Sequence, residues 1–472
     1  MDKTAYPYIP NSVRSVKDQM LKECGAESIE DLYAEIPKHL RLKRKLNLPR
    51  AYFSEYALRR HVEGILSKNV SCKNCVSFLG AGTWQHYVPA ICDEINSRAE
   101  FLTAYSGRQY ADHGKWQALF EYASMLCELV GMEATSLPTY DWGQAAGTSL
   151  LMASRITGRK EVLLAGTVSK DRLLQIKNYL RPKVNVVLVD YDTGTGKLMV
   201  EDLKKKISSR IAAVYFENPS YLGLIETGAE EIVKTAHAYG ALCVVGVDPI
   251  SLGVLAPPSQ YGADIVCGDL QPLGIHMNYG GGLAGFIATR DEPEFVAEFP
   301  GQIFGITSTE VEGEYGFGQV FWERTSLASR EGGREYTGTS AGLWGITAGV
   351  YLALMGPSGM REIGEIIMQR SSYTIKLLSE IEGIEILFKD SIYFKEFVVN
   401  FDKSGIDVKS LNKALLSYKI FGGKDLFREF PELGNSALYC VTELHTKEDI
   451  DRLASGLQKI TRNKVGGQCG KG

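Results

Sequence analysis

YGADIVCGDLQPLGIHMNYGGGLAG, from Tyr261 to Gly285, is the stretch on which the reading of this chain turns. A mostly apolar strand, Ala263 to Cys267, leads into a polar bend carrying Gln271 and Pro272, and then into a glycine run, Gly280 to Gly282. The side chain at the bend is an amide, which is neither a base nor a nucleophile at neutral pH, so Gln271 cannot do the work of an activated lysine. Working outward, apolar β-rich runs recur at EVLLAG (Glu161 to Gly166), VNVVLVDY (Val184 to Tyr191), IAAVYFEN (Ile211 to Asn218), ALCVVGVD (Ala241 to Asp248) and LAGFIAT (Leu283 to Thr289). Helical periodicity lies between them, in MVEDLKKKI (Met199 to Ile207) and AEEIVKTAHAYG (Ala229 to Gly240). Near-continuous Val/Ile/Leu runs alternating with helices predict an α/β fold with a mostly parallel sheet covered on both faces.

Beyond a helical stretch at Leu343 to Leu378, the runs EGIEILF, YFKEFVVNF, SLNKALLSYKI and ALYCVTELHTKEDIDRLASGLQKI predict a small α/β domain closing on a helix. Thr446 is the expected N-cap of that helix, with Glu448 and Asp449 in its first turn. Near the N-terminus, DLYAEIP and RLKRKLNLP (Arg41 to Pro49) predict a short amphipathic helix followed by an extended basic arm. The expected organisation is an N-terminal helical arm (1–70), a large domain (71–345), a small domain (346–462) and a disordered tail (463–472).

Composition bounds the function. A chain of 472 residues with 44% hydrophobic content buries a substantial core. A net charge of -4 and a pI near 6.1 argue against nucleic acid or an acidic membrane surface as the main partner. No apolar run reaches 18 residues, and the first 20 residues carry Asp2, Lys3, Arg14, Lys17 and Asp18 without an apolar signal segment, so a cytoplasmic location is expected. Nine scattered cysteines suit reduced thiols rather than a disulfide framework. The one close pair, Cys72 and Cys75, lacks the second pair or the spaced histidines that a zinc site requires, so it is read as two ordinary thiols flanking a strand and no metal is expected.

Five blocks carry a family resemblance across nearly the whole chain: IPKHLRLKRKLNLP (Ile36 to Pro49), SFLGAGTWQHYVPA (Ser77 to Ala90), QALFEYASMLCELVGME (Gln117 to Glu133), GADIVCGDLQPLGI (Gly262 to Ile275) and GVYLALMGPSGMREIGE (Gly349 to Glu365). They resemble the first (alpha) subunit of two-subunit glycine dehydrogenase (decarboxylating), the P-protein of the glycine cleavage system. The resemblance implies the type I pyridoxal-phosphate-dependent transferase fold, similar to aspartate aminotransferase, and an oxidoreductase that works as part of a complex. It also implies a lysine-bearing second subunit in a heterotetramer, pyridoxal phosphate bound mainly by that partner, a lipoyl H-protein that receives the aminomethyl group, and an arm that wraps the partner. In the lysine-bearing subunit the matching loop resembles HKTF followed by glycines. Counting back from the glycine run puts Gln271 where the Schiff-base lysine would stand, and Leu270 at the preceding histidine.

The remaining site candidates follow from the devices such folds use. A strand-to-helix turn at Tyr140 to Thr148 is the phosphate candidate, but Asp141 competes with an anion for the same N–H groups, and Trp142 replaces a glycine of the family's turn. Asp248, at the end of an apolar run, is either the partner of a pyridine nitrogen or a strand-end aspartate capping the turn at Pro249. His276 and Asn278 follow the Gln271 bend toward the same cavity. His86 and Tyr87, with Tyr105 in TAYSGRQY, form either a contribution to the partner's active site or a rigid turn. Two segments depart from the family pattern, Thr103 to Tyr122 and Ser329 to Pro357, the second containing Arg334 and Tyr336. Two functions therefore stay open: the lysine-lacking subunit of a glycine decarboxylase, and a divergent paralogue acting on another amine or amino acid, alone or with a cofactor-binding partner. The latter would draw on Asp141, Asp248, His276 or Tyr336 for acid–base chemistry.

Overall fold

The computed structural model describes residues 6, 8–102, 114–335 and 340–468. The chain separates into two compact units, Met1–Asn69 and Val70–Gly472.

The first unit contains α1 (Arg14–Glu23), a 3-10 turn (Ile29–Tyr33) and α2 (Glu55–Leu66). The amphipathic helix expected at DLYAEIP is that 3-10 turn, closed by a reciprocal Ser28–Asp31 capping box. Its five residues are too few to repay helix nucleation. None of the unit's described residues is buried, and Tyr8 and Phe53 are almost fully exposed. Leu42, Leu46 and Leu48 of the basic stretch are exposed as well.

The second unit is built on a seven-stranded sheet. Beyond a short β1 (Val76–Ser77), its strands are β2 (Ala134–Thr135), β3 (Glu161–Ala165), β4 (Asn185–Val189), β5 (Ile211–Glu217), β6 (Leu242–Val247), β7 (Ile265–Asp269) and β8 (Gly285–Thr289). They lie in the order β2-β8-β7-β6-β5-β3-β4. Strands β3 to β7 pair in parallel, and β8 joins antiparallel to both β7 and β2, while β9 (Phe304–Ser308) and β10 (Tyr315–Gln319) form a separate antiparallel pair and α3 (Ala90–Asn96), α7 (Val200–Lys206) and α9 (Pro293–Val296) are short helices of the same unit. Every residue of β5 is buried, as a central strand covered on both faces requires. The two-residue period then divides the core. Val214 and Phe216 face one cluster, shared with α4 (Lys115–Val130), α8 (Ala229–Ala238) and α10 (Gly342–Ser379). Ala213 and Tyr215 face the other, shared with α5 (Trp142–Thr157) and α6 (Lys170–Leu180).

The helix α10 is broken inside at Gly356, whose φ of 57° and ψ of -179° no helix accommodates. Pro357 follows and cannot donate the N–H that a continuous helix needs, so the sequence MGPSG dictates the break. Past it, β11 (Glu385–Ile386), β12 (Glu396–Asn400), β14 (Lys424–Asp425) and β15 (Ser436–Cys440) form an antiparallel sheet in the order β11-β12-β15-β14. Its apolar face packs with α11 (Val408–Leu415) and α12 (Lys447–Gln468). Thr446 caps α12, its hydroxyl accepting from Asp449 N (3.2 Å) while Asp449 Oδ2 accepts from Thr446 N (3.1 Å). The helix runs on through residues 463–468 of the stretch expected to be a disordered tail; residues 469–472 lie outside the described residues. Strand β1 pairs in parallel with β13 (Ile420–Phe421), tying the segment after Cys75 to the C-terminal layer. Cys72 and Cys75 are free thiols at the entrance to β1. Among the described residues no helix is long and apolar enough to cross a membrane.

Candidate functional site

Gln271 stands at the C-terminal end of β7 and is 1% exposed. Its backbone N–H donates to Asp269 Oδ1 (2.7 Å), which shapes the bend. Its side-chain amide clamps a distant segment: Oε1 accepts from Trp84 N (3.0 Å), and Nε2 donates to Trp84 O (2.9 Å) and Ile275 O (3.0 Å). Both ends of the amide are satisfied, so the residue is a structural tie between the bend and the glycine-containing segment at 80–87.

Trp84, held by that tie, is itself buried and lies under the ammonium of Lys395, 3.5 Å from Nζ to the ring centre. Lys395, at the entrance to β12, also forms a buried ion pair with Asp248 Oδ2 (2.7 Å), the two side chains being 3% and 6% exposed. Asp248 Oδ1 meanwhile accepts from Ile250 N (3.2 Å) and caps the turn at Pro249–Gly253. On its other side Lys395 Nζ meets His86 Nε2 at 3.2 Å. An ammonium only donates, so His86 Nε2 accepts and its proton sits on Nδ1, which donates to Glu443 Oε2 (2.8 Å). Glu443 Oε1 accepts from Tyr87 N (2.7 Å). Burial acts to raise the Glu443 carboxyl, but the hydrogen bonds it accepts from His86 and from the Tyr87 N–H outweigh it and hold it below the usual carboxylate range.

A second buried pair closes the opposite wall. Arg172, on α6, donates to Glu217 Oε1 (2.6 Å) and stacks 3.8 Å over the Trp142 ring. Tyr215 OH donates to the same Glu217 oxygen (2.9 Å) and accepts from Trp142 Nε1 (3.2 Å). Between the walls lies a cavity of about 20 Å³, lined among others by Trp84, Trp142, Arg172, Glu217, Asp248 and Lys395. That is room for one or two water molecules.

Two further carboxyls beside this site are shifted the other way. Burial pushes Glu396 up to about 7 despite the hydrogen bond it accepts from Ala81 N (2.5 Å), and pushes Asp269 up to about 7 despite the Gln271 N–H. A carboxyl whose folded-state pKa exceeds its unfolded value binds its proton more tightly when folded. Stability therefore falls as pH rises from about 4.5 through about 7, and stays lower above that. Glu396→Gln keeps an acceptor for Ala81, and is expected to remove roughly 2–4 kcal/mol of the loss between pH 4.5 and 8 in denaturant unfolding. The share due to Asp269 remains. Glu443 has the opposite sign: its stabilisation is present above its unfolded pKa and is lost as pH falls through its lowered folded value.

Of the residues singled out from sequence, the structure brings together Gln271, Asp248 and His86, with Tyr87 at the rim, its ring 61% exposed. Asp141 adjoins as the N-cap of α5: Oδ1 accepts from Gln144 N (2.7 Å), and Oδ2 from Gln175 Nε2 (3.1 Å). Its own carboxylate thus occupies the turn considered for phosphate, and the helix opens at Trp142. Tyr140 faces a separate cleft with Leu102, Gly282 and Trp344. His276 and Asn278, expected in the cavity with Gln271, lie at the surface instead. His276 pairs with Asp93 (2.9 Å), and Asn278, at φ 46°, donates to Gly282 O (3.3 Å). The reversal of the chain after Ile275 turns them outward. Arg334 is tied to Glu298 (3.3 Å), which also pairs with Arg155 of α5. Tyr105 and Tyr336 lie outside the described residues. Sequence reasoning missed Lys395, Glu443, Arg172 and Glu217; the one visible signal was a Lys–Glu pair set inside the apolar run YFKEFVV.

Residues 7–457 match the family described as glycine cleavage system P-protein. The chain belongs to the glycine cleavage system P-protein family. It is 38% identical over 465 residues to a Staphylothermus marinus protein named probable glycine dehydrogenase (decarboxylating) subunit 1, covering 97% of this chain and 98% of that one. A Pyrococcus furiosus protein of the same name is 39% identical over 457 residues, 96% of this chain and 99% of its own. A solved glycine decarboxylase (P-protein) of the glycine cleavage system, in inhibitor-bound form, superposes with a TM-score of 0.83 at 32% identity, covering 98% of this chain and all of that one. A Burkholderia pseudomallei sphingosine-1-phosphate lyase, at TM-score 0.66 and 11% identity over 90% of this chain and 94% of its own, shares the fold alone. This P-protein chain has the type I pyridoxal-phosphate fold with a mostly parallel sheet.

The pyridoxal phosphate that this fold implies does not fit the residues present. Gln271, which the resemblance sets at the lysine position, is an amide already tied to Trp84 at both ends, and Asp248, the candidate partner of a ring nitrogen, is paired with Lys395. The first turn of α5 is capped by Asp141, and the cavity is smaller than an aromatic ring.

Proposed function

We propose that this chain is the lysine-lacking, alpha-type subunit of a pyridoxal-phosphate-dependent glycine dehydrogenase (decarboxylating), acting as an oxidoreductase within the glycine cleavage complex. The single observation that carries this is Gln271, a tied amide at the lysine position of a chain 38% identical over nearly its full length to proteins named as subunit 1. A second, lysine-bearing subunit holds the cofactor in a heterotetramer. When bound there, pyridoxal phosphate supplies the electron sink for the carbanion left by decarboxylation, and the aminomethyl group passes to a lipoyl H-protein. This chain contributes the wall of that site through the segment at 84–87. The N-terminal unit, with none of its described residues buried and with Leu42, Leu46 and Leu48 exposed, supports a role as the arm that wraps the partner. Scattered, unpaired cysteines suit a reducing compartment, the cytoplasm.

The test is exchange of the glycine carboxyl carbon with bicarbonate. The isolated chain is expected to give none, while the chain mixed with a lysine-bearing partner and lipoylated H-protein restores exchange. Exchange by this chain alone would contradict the proposal. A stable mixed complex that ignores glycine but turns over another amino acid would favour the divergent-paralogue reading.

A further inference from the structure

The segment Trp84–Tyr87 is anchored at every residue. Gln271 holds both backbone groups of Trp84, and Thr442 Oγ1 donates to Gln85 O (2.8 Å). His86 is gripped from both ring nitrogens, and Glu443 holds the Tyr87 N–H. Glu443 is itself steadied, its carbonyl accepting from Arg370 Nη1. Yet the ring that this scaffold presents, Tyr87, is 61% exposed. A tightly fixed backbone carrying an exposed aromatic side chain with a hydroxyl is the form of a group aimed at something outside its own chain. At the centre of the scaffold is Lys395. Its ammonium touches Asp248, the Trp84 ring and His86, and by occupying His86 Nε2 it fixes the tautomer that reaches Glu443 and, through it, Tyr87.

We propose that Lys395 is a positioning residue, which locks the 84–87 segment so that the Tyr87 hydroxyl faces the reacting centre held by the second subunit. This rests on the reading of the chain as the lysine-lacking subunit of that complex. Lys395 touches neither substrate nor cofactor; it acts through His86 and Glu443 on Tyr87.

The experiment uses the full chain assembled with its lysine-bearing partner. Glycine-carboxyl exchange is measured for Tyr87→Phe, for the paired change Asp248→Asn with Lys395→Met, which removes the cation together with its counter-charge, and for the triple variant. Assembly is checked by light scattering. Complexes of unchanged stoichiometry are expected, with kcat down at least tenfold for each parent and KM nearly unchanged. The triple variant should fall no further than the weaker parent, since both changes act through one hydroxyl. Should the paired change fail to fold, His86→Leu, which has neither an acceptor for Lys395 nor a donor for Glu443, tests the same path with the same expectation. A kcat within twofold of wild type for the paired change, or losses that multiply in the triple variant, would overturn the proposal. A wild-type complex that does not exchange glycine, seen before any substitution is made, would instead remove the reading on which it rests.

Discussion

Asp248→Ala is expected to lower the free energy of unfolding by about 3–5 kcal/mol, the scale for removing one partner of a buried ion pair. The carboxylate neutralises an ammonium whose side chain is 3% exposed, and its loss leaves Lys395 charged beside Trp84 and His86 without its ion-pair partner. The loss also frees Ile250 N, which the other oxygen of Asp248 caps. Adding Lys395→Met should recover the part of the deficit due to the unpaired buried ammonium, leaving that of the uncapped Ile250 N–H. Guanidinium unfolding of the two single variants and the double closes the cycle. If Asp248→Ala costs less than about 1 kcal/mol, the range for exposed pairs, the pair does not hold this site closed.

Gln271→Lys is the second large effect, and it runs against the intuition that restoring the lysine restores the enzyme. An ammonium cannot accept the hydrogen bond from Trp84 N–H that Gln271 Oε1 takes, and it would be buried where the amide is 1% exposed. The expected cost is at least about 3 kcal/mol of stability, from an unsatisfied N–H together with a buried charge. No absorbance should appear at the visible-violet edge on adding pyridoxal phosphate, because Asp248 is engaged by Lys395, Asp141 caps the phosphate turn, and the cavity of about 20 Å³ has no room for the ring. A violet-edge band with borohydride-stable attachment at position 271, or recovered decarboxylation, would show that the rest of the site is intact.

The strands were legible because buried parallel strands leave an uninterrupted apolar run: IAAVYFEN contains all of β5, and ALCVVGVD all of β6. Gln271 was legible because its place is fixed by a local count from the glycine run. Asp141 was legible as a competitor for the N–H groups of its turn, and its carboxylate does accept from Gln144 N. The Lys395 network was not legible. Its members come from four segments, around 86, 248, 395 and 443, and nothing local in YFKEFVV tells a strand-edge lysine in solvent from one folded inward onto an aspartate. His276 was misplaced for a related reason. Distance along the chain from Gln271 is short, but the reversal after Ile275 carries the side chain out to Asp93.

The most direct test of the central claim is a count of pyridoxal phosphate in the assembled complex. The chain is mixed with its lysine-bearing partner, saturated with cofactor and freed of excess, and the cofactor is measured against total protein, with the attachment site mapped after borohydride reduction. One cofactor for every pair of unlike chains is expected, all of it on the partner. Two per pair, or a reduced adduct on any lysine of this chain, Lys395 included, would contradict it.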